Sequence, residues 1–378
     1  MPEPPAFLVP PSPVVAAPPS PARVPITWMM KSGSSSVQYR AINELVKSPP
    51  SDATWPVVPY ASHIGLQLLM MQDRDGTWPG GMLTVPDGQS LIGVGTIPAY
   101  RRLLELGWDP EGPALSATKR LLFRLLAQDD DPSFLAELTP ATWDEDLIQR
   151  GRLLLREAAA AALAQAGYEN DPRLRGAAHR LTDRVWTYLK SPLAQKPWVR
   201  VGNQHQLPPE AAPPSYHLLT MLSFMPQFRS ERYELMDRLF DHLSQQWPRQ
   251  QPLQQVGPHL LEQPHYVMGD FLPSRHVMDG DMPSALAWLE MMTRLGFLKK
   301  HDGWSKLLDR LLDDRDRKGI WTPPRSVVMP VSVPGWSWPA MPLTDSASGE
   351  DPHKAISVDV SFRLALIAAL SGRGIELV

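Results

Sequence analysis

The segment Leu-Leu-Glu-Leu-Gly-Trp-Asp-Pro at residues 103–110 returns in altered form at residues 163–172 and again at residues 292–297. Each copy has an apolar helix tail, a glycine and an aromatic residue, followed within a few positions by an aspartate able to start another helix. The glycines are at positions 107, 167 and 296. The first two are 60 residues apart, and the next separation, 129 residues, is about twice that distance. A period near 60 that carries two helices per unit is typical of a helical repeat array.

Apolar periodicity predicts an inner and an outer helix in each unit. We expect inner helices near residues 36–47, 96–106, 145–166, 215–225, 283–295 and 355–371, and outer helices near 57–72, 113–128, 172–189, 230–245 and 303–313. Strand signals are weak, and residues 326–333 form the best candidate. Three proline-rich connections, at 191–213, 247–282 and 322–354, are much longer than ordinary connections between helices. Loops of this length often form or cover a functional site. The alternative is that they are solvent-exposed and have no such role, and both interpretations stay open.

The composition limits the classes of partner and cofactor. The 378-residue chain has a net charge of −3, so it lacks the basic surplus that nucleic acid requires. It has no cysteine, which excludes disulfides and thiolate metal ligands. Residues 1–25 are rich in proline and lack the features of a signal peptide, so we expect an extended, disordered leader followed by a single domain at 26–378. No apolar stretch is long enough to span a membrane, so we expect a cytoplasmic protein and leave contact with a membrane face open.

Residues 70–78 read Met-Met-Gln-Asp-Arg-Asp-Gly-Thr-Trp, with Gln72, Gly76 and Trp78 at the spacing Gln-x3-Gly-x-Trp. This resembles the QW motif of the squalene-hopene and oxidosqualene cyclases, in which the glutamine caps an outer helix and stacks on the tryptophan. A second copy at residues 311–321 keeps Gly-x-Trp and lacks the glutamine. Together with the period and the six inner helices, the resemblance implies an all-α (α/α)6 toroid over about residues 35–378. We expect both tryptophans to hold the fold and to do no chemistry.

The same family, the class II terpene cyclases, protonates an alkene or epoxide with an Asp-x-Asp-Asp motif at the start of an inner helix. Residues 279–282, Asp-Gly-Asp-Met, resemble that motif, with Met282 in place of the last aspartate. The resemblance implies Asp281 as the proton donor and Asp279 as its partner carboxylate, and we add His276 as a hydrogen-bonding neighbour. The alternative is that Asp281 only caps the helix.

A carbocation needs an apolar mould with aromatic faces. Candidate substrate-binding residues are Phe224, Tyr266, Phe271, Trp288, Met291, Trp336 and Trp338, although each also suits an ordinary core. The resulting hypothesis is a class II-type cyclase of a linear polyprenyl substrate. It needs no cofactor and no metal, except Mg²⁺ if that substrate carries a diphosphate.

Two other classes of function remain open. The toroid can be a non-catalytic scaffold for an apolar ligand or a protein partner, or a carbohydrate-active enzyme that pairs Asp144 or Asp146 with Asp281 across a cleft. The residues 144–146 can equally form an acidic first turn of a helix. Residues 129–131 are a third acidic cluster, and Asp359 can point inward from the last helix. The histidines have no metal-ligand spacing, so no metal site is expected.

Overall fold

The computed structural model describes residues 20–85, 91–127, 144–246, 248, 250–272, 282–323, 343–344 and 351–378. Within these ranges the protein is predominantly helical, as the sequence predicts. Residues 326–333, the candidate strand, lie outside the described residues.

Most helices begin and end close to the predicted positions, and two short ones, α1 and α9, were not predicted. They are α1 Ile26–Ser32, α2 Ser35–Arg40 with a π-helical turn at Ala41–Val46, α3 His63–Met70 after a 3-10 helix at Trp55–Ala61, α4 Thr96–Glu105, α5 Pro113–Ala127, α6 Glu145–Gln165, α7 Pro172–Lys190, α8 Tyr216–Ser223, α9 Pro226–Glu231, α10 Tyr233–Leu243, α11 Met282–Arg294, α12 Asp302–Asp313 and α13 Pro352–Leu370. Short 3-10 helices lie at Pro192–Ala194 and Leu298–Lys300. The largest differences are at residues 36–47 and 57–72, where a π-helical turn and a 3-10 segment divide the predicted helices.

The three glycine joints share one backbone geometry. Gly107, Gly167 and Gly296 all have positive φ, between 79° and 92°. In each joint the glycine N–H bonds to the carbonyl three residues earlier, and the aromatic N–H bonds to the carbonyl five residues earlier. This pair of bonds is the Schellman motif, which satisfies the last carbonyls of a helix. Gly372 makes the same bonds at the end of α13, so the geometry occurs there without an aromatic residue.

The aromatic residue after each glycine packs on the ring of the preceding outer segment. The pairs are Trp108 on Tyr60, Tyr168 on Phe123 and Phe297 on Phe240, with ring centroids 4.8, 5.5 and 5.5 Å apart. Phe228 of α9 is fully buried and packs on His179 of α7 at 4.9 Å, although its joint has no glycine. The sequence repeat is therefore also a repeat of tertiary contacts.

The helices predicted to be inner contact one another in chain order. α4 contacts α6, α6 contacts α8, α8 contacts α11, α11 contacts α13, and α13 contacts the π-helical turn. Of the helices predicted to be outer, α5 packs on α6 and α7, α7 on α10, and α12 on α13. The alanines 158–162 of α6 are fully buried, and their small side chains let the neighbouring helices approach closely, as the alanine run predicts. Residues 357–368 of α13 are also buried on all sides.

The two QW-like segments form the same turn. The N–H of Asp73 bonds to Thr77 and the N–H of Asp316 bonds to Ile320, and each turn contains a glycine with positive φ. Trp78 and Trp321 are buried, and each backbone N–H donates to a hydroxyl of an inner helix, Thr96 at 3.1 Å and Ser361 at 2.9 Å.

In the first copy the Trp78 Nε1 donates to the carbonyl of Leu68 at 2.8 Å, which satisfies the end of α3. The amide of Gln72 reaches across to α5, where it donates to the carbonyl of Ala114 at 2.9 Å and to the hydroxyl of Thr118 at 3.2 Å. These residues connect helices, which is the structural role that the sequence analysis predicts for them.

Three small sheets accompany the helices. β1 Ala22–Val24 pairs in parallel with β6 Ile375–Leu377, so the predicted leader at residues 1–25 contains an ordered strand at its end. Antiparallel hairpins join β2 Val199–Val201 to β3 Gln204–Gln206 and β4 Leu253–Val256 to β5 His259–Glu262. The sequence analysis missed these strands, because they are three or four residues long and too short for a period-two pattern. Within the described residues no helix is long and apolar enough to cross a lipid bilayer.

Candidate functional site

The predicted acid motif and part of the predicted mould lie outside the described residues. This holds for Asp279, Asp281 and His276 and for Trp336 and Trp338. Their predicted roles therefore stay predictions.

The described residues enclose a cavity of about 310 Å³ on the inner side of the helices. Its wall takes residues from α2 and its π-helical turn, α4, α6, α8, α11 and α13, together with the segment before α4. The lining residues are Arg40, Glu44, Leu83, Val85, Ile97, Pro98, Arg101, Arg102, Leu104, Glu105, Gln165, Tyr216, His217, Thr220, Ser223, Phe224, Ala287, Glu290, Met291, Arg294 and Arg363. Because five of them are arginines, we call it the arginine cavity.

Two glutamates hold most of these arginines in place. Glu105 contacts the guanidinium groups of Arg102 and Arg363 at 2.5 Å each, and its carbonyl accepts a hydrogen bond from Arg40 at 3.2 Å. Glu290 pairs with Arg294 at 2.9 Å and lies 3.6 Å from the other end of the Arg363 guanidinium. Arg363, only 2% exposed, thus bridges carboxylates of α4 and α11.

Both carboxylates are ionised at neutral pH. Burial raises the pKa of Glu105, but Arg102, Arg363 and Arg40 outweigh it and lower that pKa from its ordinary value of 4.5 to about 2. At Glu290 burial again opposes ionisation, and Arg294 and Arg363 hold the pKa below its usual value. Glu44 pairs with Arg40 at 2.5 Å. Five arginines against three glutamates leave the cavity wall with an excess of two positive charges.

One cation of the wall has no counter-ion among the described residues. Arg101 donates its Nε to Gln165 at 2.9 Å and lies over the ring of Tyr216, but its two Nη atoms bond to no described residue. The Nδ1 of His217 and the hydroxyl of Thr220, one turn apart on α8, are buried and have no hydrogen-bond partner in the described part of the chain. Burial, reinforced by Arg101, lowers the pKa of His217 to about 3, so its ring is neutral.

The predicted mould residues divide into two groups. Phe224 and Met291 line the arginine cavity, and Phe224 lies under the Arg294 guanidinium, whose central carbon is 4.6 Å from the ring centroid. Trp288, Tyr266 and Phe271 are not among its lining residues.

Trp288 packs between Phe271 and Trp304, with centroids 6.0 and 5.9 Å away, and the Tyr266 hydroxyl donates to Gln254 at 3.2 Å. These three aromatics serve packing in the described structure. A single helix directs only one stripe of side chains to a given cavity, so Trp288 lies on another face of α11, and Tyr266 and Phe271 belong to the connection before that helix.

The other acidic candidates have structural partners outside this cavity. Asp144 caps α6 by accepting from the Leu147 N–H at 2.9 Å, and it receives the His259 ring at 2.8 Å. Asp359 is fully buried and binds the backbone of Leu343 and both the backbone and hydroxyl of Thr344. Burial raises the pKa of Asp359. Asp359 therefore lies against Leu343 and Thr344 and is not among the residues that line the cavity.

Sequence reasoning missed the arginines that dominate this site. A usable signal exists, because Arg101, Arg102, Arg294 and Arg363 all fall in predicted inner helices, where charged side chains are rare unless paired. The sequence analysis looked for carboxylates and aromatic residues and did not consider these arginines as candidates. Among the described residues no group of three or more histidine, aspartate or glutamate side chains is arranged to hold a metal ion.

Comparisons with protein-family models, curated proteins and solved structures found no match to this chain.

Proposed function

We propose that this protein binds a small anionic ligand, with a carboxylate or phosphate group, in the arginine cavity at the centre of a closed ring of helices. The ring is the (α/α)6 toroid that the sequence analysis expects. Contacts in chain order from α4 to α13 and on to the π-helical turn support it, and the hydrogen bond from Arg40 to the Glu105 carbonyl links the last segment back to α4.

The observation that carries the proposal is the uncompensated guanidinium of Arg101 beside His217 and Thr220. His217 and Thr220 are buried, and a buried polar group without a partner costs roughly 1–3 kcal/mol, whereas Arg101 is half-exposed and supplies the positive charge. An anion between these side chains would accept from Arg101 and Thr220 and from His217 in the tautomer that carries a proton on Nδ1. Charge-assisted hydrogen bonds of this kind are about twice as strong as neutral ones. A cavity of about 310 Å³ is near the small end of the usual range of ligand pockets, roughly 300–1,000 Å³.

The protonation states of the glutamates and the histidine in the cavity wall favour ligand binding over acid–base catalysis. A glycosidase or a cyclase needs a carboxyl that keeps its proton near neutral pH. The arginines lower the pKa of both Glu105 and Glu290, which therefore act as counter-ions to the guanidinium groups. The pKa of His217 is about 3, so at neutral pH the ring is neutral and cannot serve as a general acid.

Calorimetric titration with inorganic phosphate, pyrophosphate and citrate tests the proposal. We expect at least one of them to bind at one site per chain, with affinity that falls as salt rises. Arg101→Gln should weaken binding by roughly 1.5–3 kcal/mol. Arg238→Gln, which changes an exposed arginine on α10, is the matched control and should bind as the unchanged protein does. Absence of binding by all three anions, or equal binding by Arg101→Gln, contradicts the proposal.

A polyprenyl diphosphate cyclase is the second candidate function. The observation that favours it is the presence of Phe224, Met291 and other apolar residues beside the arginines, which suits a ligand with an anionic head and an apolar tail. Asp281 would be the acid, as the resemblance implies. Incubation with geranylgeranyl diphosphate and Mg²⁺, with polyprenyl phenols and with squalene, followed by mass spectrometry, tests it. A cyclised product that Asp281→Asn abolishes supports the cyclase, and unchanged substrates with folded protein contradict it.

A further inference from the structure

A second, larger pocket of about 730 Å³ lies between the 3-10 helix Pro192–Ala194, the β2–β3 hairpin and the end of α10. It shares no lining residue with the arginine cavity. We propose that this pocket binds a neutral saccharide.

The described wall of the pocket is mostly neutral and rich in hydrogen-bonding groups. Four glutamine side chains line the pocket, at positions 195, 245, 246 and 250, together with Trp198 and the imidazoles of His205 and His242. The described lining contains one cation, Lys196, and no carboxylate. Glutamine amides both donate and accept hydrogen bonds, and hydroxyl groups do the same, so the two are complementary without charge.

One of the lining residues, His242, carries a buried hydrogen-bond acceptor. His242 is 3% exposed, and its Nε2 lies 2.9 Å from the carbonyl of Val267. A carbonyl only accepts, so Nε2 carries the proton, and in the neutral ring Nδ1 is left as an acceptor. That Nδ1 is buried without a hydrogen-bond partner among the described residues. Burial keeps the pKa of His242 low and the ring therefore neutral. The position calls for an O–H or N–H donor from a ligand.

Trp198 supplies the apolar face that a sugar ring needs. It is half-buried against the core, while Gln195, Lys196 and Gln245 around it are exposed. The axial C–H face of a pyranose can stack on an indole while its hydroxyls reach the amides, so a wall with one aromatic face and several neutral polar groups is complementary to a sugar. Met268, which is also buried, adds an apolar side chain to the lining.

Titration of the full chain with maltose, cellobiose and N,N′-diacetylchitobiose, by calorimetry and by saturation-transfer NMR, tests this inference. We expect at least one disaccharide to bind at one site per chain. Trp198→Ala and Gln245→Ala should each weaken binding, the first by about tenfold or more, which corresponds to about 1.4 kcal/mol. Trp186→Ala, at a half-buried tryptophan of α7 outside the pocket, is the matched control and should leave binding unchanged. Circular dichroism establishes that each variant is folded.

Two further measurements make the result specific. The fully O-methylated form of the bound disaccharide cannot donate to His242 and should not bind. Arg101→Gln should bind the saccharide normally, which separates this pocket from the anion-binding proposal. The inference is overturned if no disaccharide binds at millimolar concentration, if Trp198→Ala binds equally well, or if an octaproline peptide binds through Trp198 where the sugars do not.

Discussion

Glu105 is the residue on which the charges of the arginine cavity converge. Its carboxylate contacts Arg102 and Arg363, and its carbonyl accepts from Arg40. Buried charges are costly to desolvate, and they are tolerated only when paired in good geometry. The wall of the cavity therefore depends on this side chain for its shape, and we expect its ionisation to be coupled to stability.

Acidification should destabilise the protein partly through Glu105. The pKa of Glu105 is about 2 in the folded protein and ordinarily 4.5, so the unfolded chain takes up the proton first. Its contribution is fully present above about pH 4.5 and is lost as the pH falls towards about 2. As the pH falls over this window, we expect the free energy of unfolding of Glu105→Gln to decrease by on the order of 2–3 kcal/mol less than that of the unchanged protein.

Urea unfolding followed by circular dichroism at pH 7, 4.5 and 3 measures this difference. Glu210→Gln, at an exposed position between β3 and α8, is the control and should keep the pH dependence of the unchanged protein. Identical pH dependence in Glu105→Gln and the unchanged protein would show that the carboxylate is not held by its arginines.

At the scale of elements, the repeated unit is a helix, a glycine cap and an aromatic residue that packs on the preceding outer segment. The cap is local, since its bonds span five residues, whereas the aromatic contact crosses between successive helix pairs. Two neighbouring residues of the unit therefore end one helix and fix its packing on the preceding pair. This is why the same sequence pattern marks both the secondary structure and the packing.

The caps offer a matched pair of substitutions. At Gly167 an added Cβ would meet nothing within 4 Å, so Gly167→Ala should cost only the left-handed backbone strain, roughly 1–2 kcal/mol. At Gly107 the added Cβ would lie 2.9 Å from the ring of Tyr39, so Gly107→Ala should cost roughly 1–3 kcal/mol more. Urea unfolding of both variants measures the difference. An equal decrease in the free energy of unfolding in the two variants would contradict the contact of Gly107 with Tyr39.

At the scale of the molecule, the described ends of the chain meet. β1 pairs with β6, and both contact α13, whose residues 357–368 are buried on all sides. Arg363 on the same helix reaches across to Glu105 of α4 and Glu290 of α11. One buried helix thus contacts segments far from it in the chain, and the Arg363–Glu105 pair spans 258 residues.

If the arginine cavity binds an anion, the ligand should couple the helices that line it. Saturating pyrophosphate should slow amide hydrogen exchange in α4 and α8, which carry Arg101, His217 and Thr220, because binding raises the cost of local opening. Exchange in α12, which contributes no lining residue, serves as the internal control. Uniform slowing along the whole chain, or none, would contradict ligand binding between α4 and α8.

The amino-acid sequence by itself determined most of the helix boundaries, the glycine caps and the connecting role of Trp78, because caps and apolar periodicity act over a few residues. Only the tertiary structure decided the character of the cavity. Arg40, Arg102 and Arg363 come from three separate helices, and each is an ordinary helix residue until packing brings their guanidinium groups around Glu105. The direction in which a buried side chain points depends on which helices surround it, and no local pattern contains that information.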